Sequence, residues 1–209
     1  QSTHVWATAN PNSKQVDGGD GWLGRYLAVQ PVQKGHWFRG VSVGKVLPGN
    51  LRTPNFSVPT VTSLESYQLR GNPKDPFGAR QRVEALLSLY AASPPATPYS
   101  AIFGETLEAA YQSSGDLLEA NKAYQPASVY PDEQFAQGLK LLASAIIQGL
   151  GVLVGHITIS GFDTHADQDN DHAELLRTLS QGLYSFYKDL QGHGCDQNVV
   201  IMTWSEFGR

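Results

Sequence analysis

The segment from Val152 to Arg209 reads as strand, helix, strand, and this unit constrains the fold more than any other part of the sequence. Val152 to Ile159 is a short run rich in Val and Ile, the pattern of a strand buried on both faces. Leu175, Leu176, Leu179, Leu183, Phe186, Tyr187 and Leu190 then keep helical period, and Gly192 or Gly194 ends the run. Asn198 to Trp204 reads as a second strand. Two strands joined through one long helix predict a parallel pair with a right-handed crossover. Both strands then open into polar loops, Ser160 to Gln168 and Ser205 to Arg209. Those loops share one edge of the sheet, the edge on which open α/β sheets build their sites.

The sequence upstream is organised differently. Residues 1–75 are rich in Gly, Pro, Asn and Ser, with turn signals at Asn10-Pro11-Asn12, Gly18-Gly19-Asp20-Gly21, Pro48-Gly49-Asn50 and Gly71-Asn72-Pro73. Short elements are expected there: a helix over Trp22 to Val29, anchored by Trp22 and Tyr26, and a strand over Trp37 to Val46. Two helices follow, Phe77 to Ala92 and Tyr99 to Tyr124, separated by Ser93-Pro94-Pro95. In the first, Val83, Leu86, Leu87 and Tyr90 mark a buried stripe. A third starts near Pro131, with Asp132 and Glu133 in its first turn, and stops at Gly149 and Gly151. The whole reads as a single α/β domain: residues 1–75 loop-rich, 77–150 helical and 152–209 the strand, helix, strand unit.

Composition excludes several functions. The chain carries 15 basic and 19 acidic residues, a net charge of -4, without a lysine or arginine cluster, which argues against a nucleic-acid partner. No apolar run reaches the roughly 18 to 20 residues that a membrane span needs. Cys195 is the single cysteine, so neither an intrachain disulfide nor a thiolate metal cluster can form.

Chemistry gathers on the predicted edge. Asp163 and His165 offer a carboxylate oxygen and an imidazole nitrogen to one divalent metal, although Asp-Thr also starts helices and loop histidines are common. His172, near the start of the long helix, is a further ligand or an acid/base group, or a histidine that packs at the helix entrance. Glu206 is a ligand or general base, with Ser205 beside it, and Arg209 can hold an anionic group through two donors. The same loop also reads as a cap opening the next helix. Asp167, Asp169, Asn170 and Asp171 lack the glycine and distal glutamate of a calcium loop and read as solvated acids at a helix N-terminus.

Three segments carry a family resemblance: Asp20-Gly21-Trp22-Leu23-Gly24-Arg25-Tyr26-Leu27, Gly161-Phe162-Asp163-Thr164-His165 continuing through Gln168 and His172, and Thr203-Trp204-Ser205-Glu206-Phe207-Gly208-Arg209. Their order and spacing resemble the domain-of-unknown-function 1501 family, a bacterial group similar to the alkaline phosphatase and sulfatase superfamily. The resemblance implies a doubly wound, mostly parallel α/β sheet with flanking helices and a divalent-metal site at the strand C-termini. It further implies hydrolysis of a small anionic phosphate or sulfate ester, and export to the periplasm. In that frame Asp163 and His165 are metal ligands, Glu206 and His172 catalytic groups, and Ser205 and Arg209 substrate-binding groups. Superfamily hydrolases place one metal pair as Asp-x-x-x-His and end the later strand with Asp-His. This chain has Asp163-x-His165 and Glu206-Phe207, which implies an alternative, a non-catalytic exported binding or assembly protein. Similar proteins carry a strand before the position of Gln1 and a Thr-Asp-His-Gly segment after Arg209, so the chain is expected to be a fragment, incomplete at both ends.

Overall fold

The computed structural model describes residues 2–10, 20–31, 37–55, 57–64, 66–67, 76–92, 98–163 and 168–205. Its centre is an open parallel sheet of three short strands: β1, Gly40–Val43, β2, Thr60–Val61, and β3, Val154–Ile157, in the order β2-β1-β3. Ser42 pairs with Thr60 on one side and with His156 on the other. The strand expected over Trp37 to Val46 thus forms as its central four residues, all buried.

Alternation along the strands assigns the two faces. Gly155 and Ile157 point to the helix α5, Gln134–Ile147: a Cβ on Gly155 would meet Leu142, and one on Gly138 would lie 2.5 Å from Ile157 and 2.9 Å from Val43. Gly138 therefore lets α5 approach the sheet closely. Phe135, Leu139 and Leu142 of α5 join Val41, Val43 and Val61 in the larger core, completed by Phe186 and Leu190 of the helix α6, Gln168–Gly192. On the opposite face Val154 packs against a smaller cluster. That cluster comprises Leu23 and Leu27 of the helix α2, Trp22–Ala28, Leu51 of the 3-10 turn Gly49–Leu51, and Val58. Trp22 is half-buried against this cluster, whereas Tyr26, expected as a second anchor, is exposed.

Glycine stops α5 and α6 by the same device. Gly149, at φ 72°, lets its own N–H reach Ile146 O at 3.1 Å and the Leu150 N–H reach Ala145 O at 3.0 Å. Gly194, at φ 68°, repeats the pattern with Gln191 and Leu190. Both are Schellman closures, in which a left-handed residue satisfies carbonyls the helix end leaves open. At the other end α5 begins at Gln134 rather than Pro131, and Asp132 and Glu133 precede the first turn.

Expectations are corrected in two regions of the fold. The segment Asn198 to Trp204 is not a strand: a 3-10 turn, Asp196–Asn198, leads into an irregular stretch that continues to Ser205. Val200 is 93% exposed, and Ile201, Met202 and Trp204 are exposed with it. The parallel partner of β3 is β1, so β3 is an edge strand rather than one buried on both faces, with Gly155 exposed and its neighbours half-exposed. β-propensity describes side chains that suit a pleated, half-buried surface, and it does not by itself supply a ladder partner.

The second correction concerns the expected buried stripe on α3, Pro76–Ala92. Leu86 and Tyr90 are exposed and Val83 and Leu87 half-buried, because α3 packs chiefly on α4, Pro98–Ala123. α4 reaches the main core through its C-terminal half, at Leu117, and Ala120 is buried one turn on. Ser113 anchors it by a 2.8 Å hydrogen bond with the Tyr67 hydroxyl. The N-terminal helix α1, Ser2–Thr8, packs on the Gly49–Leu51 turn, and Arg25 fastens it by donating to Thr8 O at 2.7 Å. Among the described residues no helix is long and apolar enough to cross a membrane.

Candidate functional site at the C-terminal edge of the sheet

The strands end at Val43, Val61 and Ile157, and all three run the same way, so the chain leaves the sheet on one edge. After β1 it turns toward the Gly49–Leu51 turn on the α2 face. After β3 it turns to α6, which packs on α5 on the opposite face. Neighbouring strands whose outgoing loops diverge to opposite faces leave a crevice between their C-terminal ends, the usual position for a site in an open α/β sheet. Lys45 follows β1 at this crevice, and Thr158 to Asp163 follow β3.

The loop after β3 is held on α6 by packing. Gly161 adopts φ 104°, a left-handed conformation that favours glycine, and a Cβ there would lie 3.4 Å from Leu175. Phe162 meets the His172 ring edge-on, with centroids 5.8 Å apart and planes at 89°. The edge-to-face geometry sets the positive ring edge of one against the negative face of the other. This contact brings His172, in the first turns of α6, to the residue next to Asp163. Both Asp163 and His172 are exposed. Asp169 and Asp171 occupy the first turn of α6, exposed, as solvated acids at a helix N-terminus should be.

Ser205 is exposed at the end of the irregular stretch. Its neighbour Trp204 lies against His156 of β3, ring centroids 5.4 Å apart, so the stretch runs along the edge of the sheet without pairing to it. His165, Glu206 and Arg209 lie outside the described residues. Of the six residues singled out in the sequence, His172 meets Phe162, the neighbour of Asp163 in the chain, and Ser205 follows a residue packed on β3.

The structure adds two groups beyond those singled out in the sequence. His156 is half-buried, burial holds its imidazole below the usual value, and among the described residues its Nδ1 has no hydrogen-bond partner. Asp189, fully buried in α6, accepts hydrogen bonds from the Tyr124 hydroxyl, the Tyr130 hydroxyl at 2.8 Å and the Ala127 N–H at 2.7 Å. Its carboxylate also lies 3.3 Å from His193 Nδ1, which meets the Asp189 carbonyl at 2.9 Å. An aspartate among the apolar residues of a helix was the available signal for this cluster.

An open cleft of about 620 Å³ lies between α3 and α4, lined by residues including Glu84, Tyr111 and Asp116. Burial raises the Asp116 carboxyl. None of the six candidate site residues is among the residues lining it.

No curated protein and no solved structure matches the chain. A family model does match, over residues 2–209, and its description is Protein of unknown function (DUF1501). By that match, which takes in all three segments carrying the resemblance, the chain belongs to the DUF1501 family.

Proposed function

We propose that this protein is a metal-dependent hydrolase of phosphate or sulfate esters. Asp163 and His165 are the metal ligands, Glu206 and His172 the acid/base groups, and Ser205 and Arg209 the contacts to the anionic ester. The observation that carries this reading is the Phe162–His172 contact, which joins an imidazole on α6 to the β3 loop bearing Asp163 at the strand-end crevice. A carboxylate oxygen from Asp163 and an imidazole nitrogen from His165 are donor types that suit zinc or manganese, and among the described residues no three metal-ligating side chains gather, so His165 is needed to complete the set. When bound, such an ion polarises the ester oxygen and lowers the pKa of a bound water.

The chain's own residues supply the rest. Phe162 fixes the ring plane of His172, so one imidazole nitrogen has a defined direction. Asp163 brings negative charge to the loop. α6 begins just beyond the same loop, and the unpaired N–H groups of a helix start favour an anionic substrate. Arg209 would add a planar pair of donors to the ester oxygens.

The Glu206-Phe207 pair, where superfamily hydrolases have Asp-His, favours a second reading: an exported binding or assembly protein that keeps the fold without turnover. Calorimetric titration with zinc and manganese, paired with a panel of phosphate and sulfate esters, separates the two. The hydrolase reading expects stoichiometric metal binding that is lost in Asp163→Ala/His165→Ala, and turnover that is lost in Glu206→Gln. Metal binding unchanged in the double variant would refute the ligand assignment. Metal binding without turnover of any ester would leave the second reading.

A further inference from the structure

Trp204 is the last apolar residue before Ser205 and Glu206, and its ring packs on the ring of His156. The planes are tilted by 50° at a centroid distance of 5.4 Å. We infer that His156 is a positioning residue: its uncharged ring holds Trp204, and with it the chain entering Ser205, on the edge of β3, and releases them when it takes up a second proton.

The argument rests on where the two ring nitrogens lie. Among the described residues, His156 Nδ1 is buried with no hydrogen-bond partner. In the neutral ring with its proton on Nε2, Nδ1 is a bare acceptor, the less costly of the two states for a buried atom. A second proton makes Nδ1 an N–H donor with nothing to receive it and puts a charge in the same place. The ring must then turn toward water, and the face that Trp204 packs on is lost.

Among the described residues, the charges on this side of the sheet are mostly positive and add to the cost of a charged ring. Residues Val199 to Ser205 contain no titratable side chain. Ser42, the register partner of His156 on β1, is buried and uncharged. The described elements on that side of the sheet bring Arg25, Tyr26, Arg39, Lys45 and Arg52, and one carboxylate, Asp20. Arg25 is engaged with the carbonyls of Asp20 and Thr8, and Arg39 reaches the carbonyls of Leu27 and Gln30. The lowering of the His156 imidazole by burial runs in the same direction.

The clamp itself depends on the ring geometry. Its effect on turnover rests on the reading of Ser205 and Glu206 as site residues. The test therefore needs neither metal nor ester. Tryptophan emission of the full chain is followed from about pH 7.5 to 4.5, with Trp204→Phe identifying the component that belongs to Trp204. The expected result is a reversible change with a midpoint below about 6.5, the ordinary imidazole value, that disappears in Trp204→Phe and in His156→Phe. His156→Phe keeps a ring against the indole but cannot titrate, so its Trp204 emission should stay at the neutral-pH position throughout. An emission transition that persists in His156→Phe, or a flat wild-type profile, overturns the inference. Should His156→Phe fail to fold, imidazole NMR of the wild type decides instead. A His156 that titrates at or above about 6.5 overturns the clamp, and one that titrates below it in step with Trp204 emission supports it. Loss of metal binding in Asp163→Ala would leave this outcome untouched, so the two readings can fail separately.

Discussion

Tyr130 donates its phenolic hydrogen to Asp189 Oδ2 at 2.8 Å, tying the loop ahead of α5 to the last turn of α6. Tyr124 and the Ala127 N–H converge on the same carboxylate, and Ser185 of α6 donates to Val129 O at 2.9 Å. Residues 124–130 are thereby fastened to α6 by polar contacts inside the core. Removing the carboxylate strands two hydroxyls and an N–H in the interior. Asp189→Ala should cost about 3 to 5 kcal/mol, and Tyr130→Phe about 1 to 2, measured by urea unfolding. Equal effects of the two substitutions would contradict a role for Asp189 as the shared acceptor.

The same cluster sets an alkaline limit on stability. Burial and the neighbouring Asp189 raise both Tyr124 and Tyr130. Unfolded tyrosines ionise near pH 10, while the folded ones keep their protons. The stabilisation is complete below about pH 10, and above it each tyrosine costs about 1.4 kcal/mol per pH unit as the unfolded chain ionises. Tyr67, raised by burial, adds to the trend. Unfolding free energies measured between about pH 8 and 11 should fall steeply above 10, and less steeply in Tyr130→Phe. An unchanged slope in that variant would argue against the assignment.

Two glycines should respond in opposite senses to alanine. A Cβ on Gly21 would lie 2.1 Å from Asn50 O and 2.4 Å from Gly49 O, backbone atoms of the turn that carries Leu51. Backbone cannot yield as a side-chain end can, so Gly21→Ala should cost about 3 kcal/mol or more. Gly115, exposed in α4, has nothing within 4 Å of its would-be Cβ. Gly115→Ala should stabilise by about 0.5 to 1 kcal/mol through helix propensity. Thermal melts of the two variants give the signs directly.

His172→Phe separates packing from chemistry. The substituted ring can still meet Phe162, so the melting temperature should change little. The acid/base nitrogen is lost, so ester turnover should fall by about 100-fold or more while zinc or manganese affinity changes little. A large drop in stability with unchanged turnover would identify His172 as a packing residue and remove it from the site.

Helix ends and amphipathic runs were legible because they are local. Gly149 and Gly194 mark closures that depend on one residue's backbone, and Phe135, Leu139 and Leu142 repeat with the helix itself. The placement of the candidate residues was legible in part: Asp163 and His172 each stood at the end of a recognisable element. The Phe162–His172 contact was not, because the intervening residues neither repeat nor pair. Asp189 looked like any helical aspartate, and its role appears only when residues 124–130 fold over it.

The sequence by itself determined the α/β character, the helices and most of their limits, the polar loop after β3, and membership of a family. These follow from propensity, periodicity and ordered motifs, all properties of short stretches of chain. Tertiary structure decided which strands pair. β3 takes β1 as its neighbour and Val199 to Ser205 runs beside it without a ladder, although the strand pattern there is as strong as in β3. The physical reason is that a strand is completed by hydrogen bonds to another segment, and no local pattern encodes where that segment will lie.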